Sequence, residues 1–171
     1  PKGMALQGDT LWVGDIDVLR GFDRRTGRLL ATIDLRPHGA VLINDLAAGP
    51  DGSLYATDSG ILMSPVGVVY TEGQKIFRVD PRGGGVAVVA SDTLLGHPNG
   101  ITWDSVGRRW VVVNFHGIQS KAYTLNGGEG ERSVVARGPG RFDGVEALRD
   151  GRLIFTAWSD SSLHLLAGGE D

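Results

Sequence analysis

An all-β fold of repeated four-stranded units is what this sequence predicts, on three observations. Glycine occupies 27 of the 171 positions, more than twice its average frequency of about 7%, and it falls between short apolar runs, where hairpin turns need it. A template of polar start, apolar strand, glycine-centred turn and second strand recurs four times along the chain. No segment carries the sustained 3.6-residue apolar periodicity and the caps of a helix. Together these predict a β-propeller of four-stranded blades, with about four blades present.

The elements follow in order. In the first repeat, Pro1-Lys2-Gly3-Met4-Ala5-Leu6 leads through Gly8 to Leu11-Trp12-Val13-Gly14-Asp15. Val18 to Phe22 and Arg28 to Ile33 supply a third and fourth strand about a turn at Asp23 to Gly27. The second repeat pairs Ile43 to Ala48 with Leu54 to Asp58 across Pro50-Asp51-Gly52, and adds Lys75 to Val79 and Val86 to Ala90. Between them, Ser59 to Gln74 reads as a long loop. The third pairs Pro98 to Trp103 with Trp110 to Asn114, followed by Ala122 to Leu125 and Ser133 to Ala136. The fourth pairs Phe142 to Leu148 with Leu153 to Thr156 across Asp150-Gly151, adds Ser162 to Leu166, and reaches Asp171 without an outer strand.

The second residues of the four starts, Lys2, Asn44, Asn99 and Asp143, are 42, 55 and 44 residues apart, the long interval holding the Ser59 to Gln74 insertion. Expected blades are 1–39, 40–96, 97–140 and 141–171, in a single incomplete domain. A six-bladed ring at this period needs roughly 260 residues, so the expectation is an internal portion of such a ring. Open blade faces and unpaired strand edges then predict self-association.

Composition removes several function classes. The net charge is −3, from 17 basic and 20 acidic residues, spread without a basic block, so neither nucleic acid nor an anionic membrane is an expected partner. No apolar run approaches the ~20 residues of a membrane helix, and a soluble chain is expected, in the cytoplasm, the periplasm or outside the cell alike. The absence of cysteine excludes disulfides, thiolate nucleophiles and zinc-thiolate sites.

Hairpin geometry concentrates the polar residues. The start of a blade's first strand and the end of its second lie at the same end of the blade, because the chain reverses once between them. Lys2, Asn44 with Asp45, Asn99 and Asp143 should therefore ring one channel mouth, beside Asp15, Asp58, Asn114 and, after Trp158, Asp160. Converging carboxylate and amide oxygens suit a hard divalent cation such as Ca²⁺ or Mg²⁺. The same Asn-Gly, Asp-Gly and Asn-Asp pairs are also ordinary turn residues. Asp15, Asp58 and Asn114 read as structural, binding backbone amides at the bend.

The histidines His38, His97, His116 and His164 lack metal-ligand spacing; His116, in Asn114-Phe115-His116-Gly117, lies in a loop where it could meet a substrate. No G-x-S-x-G is present, and Gly83-Gly84-Gly85 precedes neither a Lys-Ser/Thr pair nor a helix, so it is no phosphate cradle.

The motifs Ile43-Asn44-Asp45-Leu46 with Gly49-Pro50-Asp51-Gly52, Pro98-Asn99-Gly100-Ile101, Phe142-Asp143-Gly144-Val145 and Ala157-Trp158-Ser159-Asp160-Ser161-Ser162 resemble the senescence marker protein/gluconolactonase family of six-bladed propellers, over essentially the whole chain. The resemblance implies a divalent metal, Ca²⁺ first and Zn²⁺, Mn²⁺ or Mg²⁺ after it, held by a Glu, an Asn and an Asp. The last two match Asn99 and Asp143. It further implies that Asn44 contacts substrate or metal-bound water and that Asp143 doubles as the base; Asp45, His116 and Trp158 are further expected substrate contacts from their place on the same face. The implied reaction is metal-assisted hydrolysis of a lactone or related ester, with Ser59 to Gln74 as a lid. Two departures stand out: the family's Glu belongs to a blade before the first one here and has no counterpart, the equivalent first-strand start being Lys2, and Leu42 stands where sugar-lactone enzymes have Arg. The competing expectation is a non-catalytic binding scaffold, whose Asn and Asp residues serve only the turns.

Overall fold

The computed structural model describes residues 1–115, 117, 119–125 and 132–167. The first sheet consists of β1 (Met4–Gln7), β2 (Thr10–Asp15), β3 (Val18–Asp23) and β4 (Leu29–Asp34), antiparallel and adjacent in sequence order. The second contains β5 (Ile43–Ala48), β6 (Leu54–Asp58), β9 (Lys75–Val79) and β10 (Val86–Ala90). Between β6 and β9 the chain forms a separate two-stranded hairpin, β7 (Ile61–Ser64) and β8 (Gly67–Tyr70). The segment expected as a loop is thus a hairpin. Its strands are too short and polar-flanked to stand out in the sequence, and Ile61 pairs Tyr70 while Leu62 pairs Val69.

The third sheet is β11 (Pro98–Asp104), β12 (Arg109–Asn114), β13 (Ser120–Leu125) and β14 (Val134–Gly138). The last has three strands among the described residues, β15 (Phe142–Ala147), β16 (Leu153–Ala157) and β17 (Ser162–Leu166). The four sheets are blades arranged as a β-propeller. Two single-turn 3-10 segments, Arg36–His38 and Thr93–Leu95, connect consecutive blades, and among the described residues no helix is long and apolar enough to cross a membrane.

Cores lie between blades, one at each interface. Trp12, Leu19, Leu46 and Phe77 join the first and second; Ile76, Ile101, Trp110, Val112 and Tyr123 join the second and third; Val111, Val113, Phe142 and Phe155 join the third and fourth. Each such side chain adds roughly 1.5–3 kcal/mol by leaving water. The two-residue strand period explains the sorting. On β12, Trp110 and Val112 face one neighbour while Val111 and Val113 face the other, so five of its six residues are buried. On β2, only Trp12 and Gly14 are buried, because a second sheet covers one face only. The uncovered faces of the terminal blades expose Met4 and Leu6 on one side and Leu163 and Leu165 on the other.

The inner strands meet backbone to backbone. A Cβ on Gly100 would stand 2.7 Å from the Asp143 carbonyl oxygen and from the Val145 nitrogen, which is why this position takes glycine. A Cβ on Gly3 would come closer still to the Asp45 Cα of the next blade.

Candidate functional site

Three inner strands break register at the same relative place. The β5–β6 ladder shifts between Ile43 and Asp45, β11–β12 between Pro98 and Ile101, and β15–β16 between Phe142 and Val145. An extra residue on one strand bends it and re-aims its side chains. The breaks enclose Asn44, Asn99 with Gly100, and Asp143 with Gly144, and the three polar residues lie at one end of the propeller. Ile43 pairs Asp58, Pro98 pairs Asn114 and Phe142 pairs Ala157, so first-strand starts and second-strand ends share that face. With Lys2, Gly3, Asp45 and Gly144, the three residues line one cleft of about 250 Å³.

Asn44 and Asn99 are buried, and both are held from the second blade. Asn44 Nδ2 donates to Ser59 Oγ at 2.7 Å, and Ser59 Oγ donates to the Pro98 carbonyl at 2.8 Å. Thr57 Oγ1 donates to the Asn99 carbonyl and accepts from the Asp45 amide at 3.0 Å. These two hydroxyls tie the second blade to the third behind the cleft. Neither was singled out in the sequence. One signal was available: Leu54-Tyr55-Ala56-Thr57 and Leu153-Ile154-Phe155-Thr156 place threonine alike, and Thr156 Oγ1 likewise accepts the Gly144 amide at 2.8 Å.

Asp45 occupies the position that is glycine in the other three blades, as Gly3, Gly100 and Gly144. Its side chain enters the seam to the third blade, where Oδ2 accepts the Ile101 amide at 2.9 Å and Oδ1 accepts the Leu46 amide at 2.8 Å. Burial pushes its carboxyl up to about 6; the two amides oppose this, while repulsion from Asp143 and Glu146 adds to it. Asp143 Oδ2 accepts from Trp158 Nε1 at 3.0 Å. The Trp158 ring, largely exposed, meets Phe115 edge-on at 5.7 Å. His116 lies outside the described residues.

The second-strand residues have structural partners. Asp58 accepts the backbone amides of Val41, Leu42 and Gly60. Asn114 Oδ1 accepts the Lys121 amide, and Asp15 pairs with Arg20 at 2.7 Å. All three side chains are thereby committed away from the cleft.

Among the described residues no group of three or more His, Cys, Asp or Glu is placed to hold a metal. Of the lining side chains, the Asn99 and Asn44 amide oxygens and Asp143 Oδ1 accept no hydrogen bond among the described residues. Hard oxygens of this kind fit an alkaline-earth cation in type, and they provide fewer than the six to eight that Ca²⁺ takes. Lys2 adds a positive charge to the rim.

The fold is similar to that of several solved structures. Similar solved structures include a nidogen/laminin complex (26% identity over 97% of this chain and 59% of that one, TM-score 0.74). A gluconolactonase from Xanthomonas campestris is also similar (21% identity, 97% and 61%, TM-score 0.70). So is a catalytically inactive virginiamycin B lyase from Staphylococcus aureus, solved with quinupristin (17% identity, 98% and 52%, TM-score 0.71). The chain thus spans less than two thirds of the length of each. No curated protein matches it in sequence. The model of the SMP-30/Gluconolactonase/LRE-like region matches residues 3–169, and the chain belongs to that family.

Proposed function

We propose that the cleft serves metal-assisted hydrolysis of a lactone or related ester, with Asn99 and Asp143 as the cation's protein ligands. The observation that carries this reading is the convergence of Asn44, Asn99 and Asp143, each from a register break in a different blade, on one cleft. A bound divalent cation, Ca²⁺ first among the candidates, would supply polarisation of the substrate carbonyl. Asp143 is suited to accept a proton from the attacking water through Oδ1, since Trp158 fixes the other oxygen. Asn44, its nitrogen engaged by Ser59, presents its oxygen to water or substrate. Asp45 borders the substrate space from the seam. The β7–β8 hairpin leaves β6 at the cleft's end of the second blade, with Tyr70 edge-on to His97 at 4.8 Å, and in this reading serves as the specificity element.

The test is calorimetry with Ca²⁺, Zn²⁺ and Mn²⁺, joined to hydrolysis assays on a panel of aldono- and aliphatic lactones. Asp143→Ala should abolish cation binding and lower turnover by about a hundredfold or more, and Asn99→Ala should weaken binding. Cation binding indifferent to both changes would sink the reading.

A second reading, a binding scaffold without catalysis, draws on the likeness to the propeller of the nidogen/laminin complex and on Lys2 at the cleft rim. Absence of cation binding in the unaltered protein would favour it.

A further inference from the structure

A second cleft lies at the other end of the propeller, away from the channel mouth. It opens between the β5–β6 turn and the β11–β12 turn, has a volume of about 430 Å³, and is walled by Tyr55, Trp103 and Trp110. That volume is in the range of small-molecule sites. The Tyr55 and Trp110 rings stack at 4.1 Å, and Trp103 meets Trp110 edge-on at 5.3 Å. Trp110 is buried, while Tyr55 and Trp103 keep part of their surface in solvent. Gly49 allows this close packing, since a Cβ there would lie 2.6 Å from Asp51 Oδ1 and 3.2 Å from both Tyr55 and Trp110.

Charge in this cleft is asymmetric. Asp51 pairs with Arg78 at 2.7 Å and the buried Asp104 with Arg109 at 3.0 Å. Arg108 also lines the cleft and has no ion pair among the described residues. Its backbone is left-handed, with φ 51°. The matching hairpin turns of the other three blades place glycine in that conformation, as Gly8, Gly52 and Gly151. A side chain with a free guanidinium thus stands where the repeat otherwise uses the residue that costs least. Ile16, His97, Arg141 and Ser161 share the left-handed backbone elsewhere, so what singles Arg108 out is its guanidinium, without an ion pair among the described residues and lining an aromatic cleft.

We propose that this cleft binds a small aromatic carboxylate, its ring against Tyr55 and Trp103 and its carboxylate on Arg108. Aromatic faces take a planar apolar body, and the guanidinium fork matches a carboxylate in two parallel hydrogen bonds. The site is independent of the channel mouth, being built at the opposite ends of β5, β6, β11 and β12.

The experiment is calorimetric titration with indole-3-acetate and its neutral counterpart indole-3-acetamide. The unaltered protein should bind the acid saturably and about fivefold or more tighter than the amide, the discrimination of a partly exposed ion pair. Arg108→Gly, which gives the turn the glycine used in the other blades, should stay folded by circular dichroism and bind both compounds alike. Trp103→Leu should weaken both, and Asp143→Ala should change neither. No saturable binding, equal affinities in the unaltered protein, discrimination that survives Arg108→Gly, or binding lost in Asp143→Ala would each overturn the proposal.

Discussion

The Asn44 side chain hangs from the Ser59 hydroxyl, a 2.7 Å hydrogen bond that continues from the same hydroxyl to the Pro98 carbonyl and so spans two blades. Ser59 is fully buried. The orientation of the amide, and hence which of its atoms faces the cleft, follows from this one oxygen.

Ser59→Ala removes the link and leaves two buried polar groups, the Asn44 amide nitrogen and the Pro98 carbonyl, without their partner. The expected loss is about 2–3 kcal/mol, read from urea unfolding at unchanged m-value. If the lactonase reading holds, turnover should fall as well while bound cation stays, because the amide is then free to rotate. A loss below about 0.5 kcal/mol would show that the chain relaxes around the missing hydroxyl.

Asp45 makes stability depend on pH. Its carboxyl is pushed up by burial to about 6, so between roughly pH 4 and 6 the folded protein retains a proton that the unfolded chain has released. Stability due to this group is therefore highest at low pH and falls as pH rises through that window, by on the order of 3 kcal/mol in full. In a chelating buffer, Asp45→Asn should flatten the urea midpoint between pH 4 and 6 relative to the unaltered protein. An unchanged slope would place the pH dependence elsewhere.

Lys2 lines the cleft with Asn44, Asn99 and Asp143. Lys2→Glu replaces a cation at its rim by a carboxylate, the donor that a hard divalent ion prefers. Affinity for Ca²⁺ should rise at least about tenfold, equivalent to about 1.4 kcal/mol, in calorimetric titration. An affinity that does not move would put Lys2 out of reach of the bound ion.

The blade repeat was legible because it is written in local signals. Strands such as Trp110 to Asn114 alternate between two faces, and turns such as Asp51-Gly52 and Asp150-Gly151 carry their own backbone preferences. The shared end of the blades followed from hairpin reversal alone, which placed Asn44, Asp45, Asn99 and Asp143 together before any coordinates. Bend chemistry assigned Asp15, Asp58 and Asn114 to backbone amides; Asp58 and Asn114 bind them, while Asp15 pairs instead with the Arg20 side chain. The β7–β8 hairpin escaped because Ile61–Ser64 and Gly67–Tyr70 are four-residue strands, with four exposed residues in β8 and no alternation to read.

By itself, then, the sequence determined the all-β class, the number of blades and the end of the propeller at which the polar residues gather, since each depends on contacts between residues close along the chain. The tertiary structure decided what holds those residues. Ser59 reaches Pro98 across 39 positions, Thr57 reaches Asn99 across 42, and Asp45 reaches Ile101 across 56. No local pattern encodes such bonds. They exist because β5 and β6 of the second blade lie against β11 of the third, closely enough for a side chain of one blade to bond the backbone of the next.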